Sequence, residues 1–321
     1  MNTTASLTVM RRSRPLPSVV VICIALAVGS ALLVKGFTLT PNLTNIGLQA
    51  SILLMLSMPM TLIIMSEGLD LSVGALLSLC SVVLAQSLLA GHGIVFSLGL
   101  SMLVGLAFGL FNGVLVAQLA LPPFVVTLGT FGVAQGAALV LTDGNSVAGF
   151  GPAISSFYAS SVGGIPLPVL IAGGCWLATH ILLYHTRFGT YVFAIGGNRD
   201  ALVLAGVRTN LYHIGIYALT GLVVGVTALL LTGRMNSAHP TGAIGMEFDA
   251  IAAVVLGGTA FEKADGWLLG TVMGVLTICI LRNMLNLLGI ESSLQMVSIG
   301  ILVLLVILID SWNKTRKGAR K

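Results

Sequence analysis

Charge is scarce in this sequence. Only 8% of its 321 residues are Asp, Glu, Lys or Arg, against about 25% in an ordinary soluble domain. So few charged side chains do not cover the surface of a soluble protein of this length, and that class is excluded. Cysteine is scarce too. Cys23, Cys80, Cys175 and Cys279 all fall inside apolar runs and form no C-x-x-C pair, so they read as reduced packing residues rather than a disulfide framework. The histidines, His92, His180, His185, His213 and His239, are scattered, and none stands at metal-ligand spacing from another histidine or a cysteine. There is no G-x-x-x-x-G-K-[ST] loop to cradle ATP phosphates. No catalytic set, metal site or cofactor motif is visible, and no chain of buried carboxylates or lysines suggests a proton relay. An enzyme is the reading with least support, and any energy source lies outside the chain.

What is abundant is hydrocarbon. Hydrophobic residues make up 56% of the chain, and several runs approach or exceed the ~18–20 residues that carry a helix across a bilayer. The runs are continuous rather than alternating, which excludes a β-barrel. The expectation is an all-α polytopic membrane protein, a single transmembrane domain over residues 1–321 surrounded by the lipid bilayer. The net charge of +5 is no nucleic-acid signal. The positive side chains cluster at Arg11, Arg12 and Arg14, within residues 186–209, and at 314–321. These are short segments flanking spans, where positive charge marks the cytoplasmic side. Residues 17–34 are long for a signal-peptide core and no small-residue cleavage site follows, so they read as an uncleaved first span.

Spans are expected at 17–36, 45–65, 73–89, 95–119, 124–141, 169–184, 211–231, 267–288 and 294–309, with an eighth segment, 250–258, too short to cross alone. That segment is expected to be one limb of a broken helix, tolerated only where it is buried or lines a cavity. Counting it gives ten crossings and puts the tails 1–16 and 313–321 and the polar stretch 186–209 on one side. Eight crossings with two re-entrant segments is the alternative. Residues 143–168 hold no basic side chain and suit a translocated loop, with a short surface helix at 154–160. Gly109 and Gly113 are echoed by Gly270 and Gly274, and Glu67 and Asp70 by Glu247 and Asp249. An odd number of spans separates each pair, as in the inverted repeats of transporters.

Glycines four apart let membrane helices approach closely. Gly105, Gly109 and Gly113, then Gly132 with Gly136, Gly221 with Gly225, and Gly270 with Gly274 have this spacing. Intramolecular packing is expected of them ahead of a dimer seam. Polar groups at membrane depth are costly and so are functional candidates: Glu67, Asp70 and Asp249 at span ends, Asn112 and Gln118 in or near the fourth span. For the carboxylates, capping of the following helix competes with substrate contact.

The stretch 186–209, TRFGTYVFAIGGNRDALVLAGVRT, is a polar island between long apolar runs. Gly196-Gly197-Asn198 is expected to divide it into two short helices, with Asn198 capping the second and Gly206 ending it. Tyr191, Ile195, Leu202 and Ala205 are expected to face the bundle. A dock for another protein and a plain basic loop are the two readings.

Five ordered segments carry a resemblance. TRFGTYVFAIGGNRDALVLAGV, Gly68-Leu-Asp70-Leu-Ser72-Val-Gly74, Pro123-Phe-Val-Val-Thr127-Leu-Gly129-Thr130, Phe248-Asp249-Ala-Ile-Ala-Ala-Val-Val-Leu-Gly257-Gly258-Thr259 and Asn286-Leu-Leu-Gly289-Ile together resemble the permease subunits of ribose-type (carbohydrate uptake 2) ABC sugar importers. The departure is Phe261-Glu262-Lys263-Ala264-Asp265-Gly266, more charged and bulkier than the glycine-rich segment of relatives. The resemblance implies a dimeric pore with a second permease copy or paralogue in a bacterial inner membrane. It also implies a separate ATPase subunit with two nucleotide-binding domains and a periplasmic sugar-binding protein that does the selecting. Arg187, Gly189, Gly196, Gly197, Asn198, Arg199, Ala205 and Gly206 would form the element that couples to the ATPase. Asp70, Ser72, Asn112, Thr127 and Asp249 would shape the pathway or its gates. A stand-alone carrier or channel for a small polar solute is the alternative; the solute itself, pentose, hexose or polyol, is open.

Overall fold

The computed structural model describes residues 18–259 and 266–318. Helix α1 (Ser18–Leu33) leads to α2 (Thr40–Met65), α3 (Val73–Leu89), α4 (Ile94–Ala117) and α5 (Pro123–Thr142). A short α6 (Ala153–Ala159) and an antiparallel hairpin, β1 (Ser161–Val162) with β2 (Ile165–Pro166), precede α7 (Leu167–His185). Then come α8 (Arg187–Leu204), α9 (Thr209–Met235), α10 (Met246–Leu256), α11 (Leu268–Leu287) and α12 (Ser292–Gly318). Six of them, α2, α4, α5, α7, α9 and α11, are long and apolar enough to cross a bilayer, and α1, α3 and α12 carry shorter apolar stretches. The chain is a polytopic all-helical membrane protein. Tail 1–16 and the departing residues 261–265 lie outside the described residues, and α12 continues through the expected basic tail as far as Gly318.

Helix α9 occupies the middle, packed against α2, α3 and α4. Its crossing with α4 is where the glycine spacing acts. A β-carbon on Gly105 would strike the Gly221 carbonyl, and one on Gly109 the Tyr217 carbonyl. One on Gly113 would stand 2.8 Å from Ile214 Cα, and one on Gly225 2.5 Å from Met102 Cα. Lipid is as apolar as leucine, so helices in it gain by close van der Waals approach rather than by burial. Ser101 Oγ uses the closeness to donate to the Gly225 carbonyl at 3.0 Å. Gly270 and Gly274 likewise bring α11 onto the backbone of Gly257 and Ala253. Packing thus accounts for three of the four glycine sets. It fails for Gly132 and Gly136, whose β-carbons would meet nothing within 4 Å. The echoing glycines also serve different partners, α9 for α4 and α10 for α11.

The eighth apolar segment forms a short helix, α10. Helix α10 has 11 residues, about 16 Å of rise, roughly half the ~30 Å hydrocarbon core. The chain reaches it through residues 236–245, an irregular segment that buries Ala238, Pro240 and Ala243 against the bundle and leaves Asn236, His239, Thr241, Gly242 and Ile244 exposed. Ala238 and Val147 exchange backbone bonds of 2.8 and 2.9 Å. Gln135 Nε2, past the middle of α5, donates to the Pro240 carbonyl at 3.0 Å, and the Ala243 N–H donates to Ser78 Oγ, in the second turn of α3, at 3.1 Å. Irregular backbone at depth needs such partners. Gly245, at φ +94°, supplies the left-handed turn that opens α10. The short helix expected at 154–160 is α6, and it is packed rather than free: Ile154 is buried and Gly233 of α9 makes room for Tyr158.

Candidate pathway and coupling sites

Residues 66–72 break the chain between α2 and α3. Asp70 is buried there and turns back on the chain. Its Oδ1 accepts the Ser72 N–H at 2.8 Å and the Ser72 hydroxyl at 2.6 Å. The capping reading is realised on Ser72, the residue that precedes α3. Having given its only proton to Asp70, the Ser72 hydroxyl accepts from Asn112 Nδ2 of α4 at 3.1 Å. Thr127 of α5 has one hydroxyl proton, with the Pro123 carbonyl of its own helix at 2.9 Å and the Leu69 carbonyl at 3.2 Å as acceptors. Four of the five pathway candidates therefore form one buried knot. Gln118, exposed at the end of α4, takes no part. Tyr217 of α9, missed in the sequence, lies beside the knot without a hydrogen bond to it: its hydroxyl stands 3.0 Å from where a Gly68 β-carbon would lie. A tyrosine in the middle of an apolar span was the available signal.

Asp249 stands apart from the knot, and its expected capping role is corrected. Helix α10 begins at Met246, so Asp249 lies in its first turn, and its carboxylate accepts Arg282 Nη2 of α11 at 3.0 and 2.9 Å. Glu247 does the capping, accepting the Gly245 N–H at 3.1 and 3.0 Å. Gly74 in the first turn of α3 leaves the space that the Glu247 carboxylate fills. The bundle thus buries two carboxylates: Asp70, which the sequence marked as a costly polar group at a span end, and Glu247, which it noted only as an echo of Glu67. Arg282, well inside the apolar helix α11, was also passed over.

The Asp249 and Arg282 side chains are 17% and 37% exposed, so solvent screens the pair. Arg282→Ala is expected to lower the melting temperature more than the double variant Asp249→Ala/Arg282→Ala does relative to Asp249→Ala. A double-mutant cycle should give a coupling of about 1 kcal/mol. Additive effects would mean that the pair contributes nothing.

Helix α8 is two helices meeting at Asn198, whose φ of −165° and ψ of 93° are not helical. Asn198 Oδ1 accepts the Ala201 N–H at 2.9 Å and so caps the second. That helix closes with the Gly206 N–H on the Val203 carbonyl and the Val207 N–H on the Leu202 carbonyl, both 3.0 Å, with Gly206 at φ +80°. The buried face is Gly189, Val192, Ile195 and Gly196. Of the residues expected to face the bundle, Ile195 does, Tyr191 and Leu202 are half-buried, and Ala205 is exposed. Arg187, Gly197, Asn198 and Gly206 are exposed as well, and half-buried Arg199 donates to Asn210 Oδ1 at 3.2 Å. Beside them Phe188, Tyr191, Arg208 and Tyr212 line a cleft, with the two tyrosine rings 4.7 Å apart. Val192 packs in one apolar cluster with Leu62 and Ile63 of α2 and Ile216 and Tyr217 of α9. Contiguous packing therefore joins α8 to the knot.

The family described as "Branched-chain amino acid transport system / permease component" matches residues 42–307. The ribose import permease protein RbsC of Escherichia coli (strain K12) is 37% identical over 298 residues, 92% of each chain. RbsC of Bacillus subtilis (strain 168) is 38% identical over 271 residues, 84% of each chain. The D-allose transport system permease protein AlsC of Escherichia coli (strain K12) is 34% identical over 291 residues, 90% of this chain and 89% of the relative. No solved structure matches. A match that runs from the first turn of α2 into α12 takes in the knot, the charged pair and all of α8, and the chain therefore belongs to this family of transport-system permease components.

Proposed function

We propose that the chain is the permease subunit of an ATP-driven ABC importer for a monosaccharide or related small polar solute in a bacterial inner membrane. The observation that carries this is similarity over nearly the whole chain to permeases named for ribose, D-allose and L-arabinose. The family description names a branched-chain amino acid transport system, whereas the similar full-length relatives are named for sugars. Identities of 30–38% over 84% or more of the chain weigh more.

In this reading ten segments cross the membrane, the segment ending in α10 as a broken span, and both termini and α8 are cytoplasmic. The clustering of Arg and Lys near these segments supports the orientation. The opening of both α3 and α10 beside buried carboxylates supports two inverted repeats. A separate ATPase with two nucleotide-binding domains docks on α8. Arg187, Gly197, Asn198, Arg199, Ala205 and Gly206 face it, while Gly189 and Gly196 seat the helix on the bundle. A periplasmic sugar-binding protein delivers the solute, and a second permease copy or paralogue completes the pore. The knot and the Asp249–Arg282 pair flank the pathway or its gates.

The test is reconstitution in proteoliposomes with the ATPase and binding protein encoded beside it. Sugar uptake is expected only with ATP and all components, and the ATPase should co-purify with the permease. Uptake by the permease alone would favour a stand-alone carrier and overturn the assignment.

A further inference from the structure

We propose that the buried knot around Asp70 binds a monovalent cation of about sodium size, held by oxygens of Asp70, Asn112 and Tyr217. Asp70 is 3% exposed, and among the described residues no Lys, Arg or His stands within salt-bridge distance of it. Its Oδ1 already takes both donors of Ser72. The Ser72 hydroxyl can only accept from Asn112, which fixes the amide orientation: Nδ2 faces Ser72 and Oδ1 is left over. That oxygen is sealed from solvent without a protein partner, and so is the Tyr217 hydroxyl. The two residues are 1% and 2% exposed. Eight side-chain oxygens among the described residues are sealed without a partner; what sets these two apart is their place beside a carboxylate with no cationic partner, Asn112 bonding the same Ser72 as Asp70 and the Tyr217 hydroxyl standing next to Gly68.

The inventory selects the ligand. The knot has one carboxylate and spare oxygens, beside the second Asn112 N–H and the Tyr217 O–H, and its negative charge does not suit an anion. A water molecule would satisfy the Asn112 oxygen but leave the charge of Asp70 unbalanced. Calcium takes about 6–8 oxygens, usually including several carboxylates, and this knot offers a single carboxylate. Among the described residues no group of three or more His, Cys, Asp or Glu is gathered as a metal site, which further disfavours a multivalent ion. The start of α3 points its positive end at the same place and works against a cation. Binding is therefore expected to be weak enough to follow the ionic conditions. A cation there would tie the break between α2 and α3 to α4 and to Tyr217, which packs with the inner face of α8.

The experiment is thermal melting of the purified full-chain permease in mild detergent, titrated with sodium chloride against choline chloride at constant ionic strength. Sodium is expected to raise the melting temperature saturably, by about 4 °C or more. Asp70→Asn should melt at the same temperature in both salts. Tyr217→Phe, which removes one ligand oxygen, should raise the half-saturating sodium concentration by about tenfold. Identical melting of the unaltered chain in the two salts would overturn the proposal and leave a water or a proton as the occupant. So would a sodium response that survives in Asp70→Asn. Should Asp70→Asn fail to fold, Tyr217→Phe decides alone, and unchanged half-saturation counts against the site.

Discussion

Leucine in place of Gly109 is expected to abolish the folded permease, whereas leucine in place of Gly99, in the same helix, is expected to leave it intact. Both positions are in α4 and both are glycine, so helix propensity and hydrophobicity change equally. The surroundings differ. A β-carbon at Gly109 would strike the Tyr217 carbonyl, and one at Gly99 meets nothing within 4 Å. Overfilling a core usually costs about 1–3 kcal/mol because neighbouring side chains move aside. At Gly109 the obstacle is backbone, so α4 and α9 must separate along the whole seam of Gly105, Gly113, Gly221 and Gly225. The cost should exceed that range, against a total stability of about 5–15 kcal/mol. Size-exclusion profiles in mild detergent are the measurement. A sharp peak for Gly99→Leu with aggregate for Gly109→Leu is expected; equal profiles would mean that the α4–α9 contact is not the spine of the bundle.

Valine in place of Gly189 is expected to spare insertion and folding yet lower ATP-driven uptake by about tenfold. Gly189 is buried where the first turns of α8 fold back on the end of α7, and a β-carbon there would strike the backbone of Leu183. The two helices join at Thr186, so the clash is relieved by tilting α8 away rather than by unfolding the bundle. Tilting withdraws Val192 from the cluster that holds Leu62, Ile63 and Tyr217. A docked ATPase would then push on a segment no longer seated. Uptake and ATP hydrolysis measured together separate the outcomes: hydrolysis that continues while uptake falls indicates lost coupling. Normal uptake would remove Gly189 from the coupling assignment. Bulky replacements of Gly196, which is buried, and of Gly197 examine the other end of the same seat, next to the break at Asn198.

The two substitutions differ in how far the sequence alone could foresee them. Glycines four apart are a local pattern, and close helix contact follows from it. Which helix they contact does not. Gly105 to Gly113 meet α9, Gly270 and Gly274 meet α10, and Gly132 and Gly136, with the same spacing, meet nothing in the described chain. Spacing specifies a smooth face; the partner depends on where the chain brings another backbone.

Local chemistry was legible where its partners are near in sequence. Apolar runs set the helices because the bilayer leaves the backbone no other donors or acceptors. Asn198 and Gly206 end and restart α8 through bonds reaching three to five residues, so the kinked segment was readable in order. Long-range pairings were not. Asn112 lies 40 residues from Ser72, and Arg282 lies 33 from Asp249. In water such polar groups need no partner, but at membrane depth they do, so the sequence marked Asp70, Asn112 and Asp249 as costly without naming what meets that cost. The chain by itself determined a helical membrane protein with a polar hinged segment between spans. Only the tertiary structure decided that Asp70, Ser72, Asn112, Thr127 and Tyr217 come together, that Asp249 belongs to Arg282, and that the irregular segment 236–245 is anchored on α3, α5 and Val147. The reason is that helix formation is satisfied within a few residues, whereas a buried polar side chain is satisfied by whatever the packed bundle places against it.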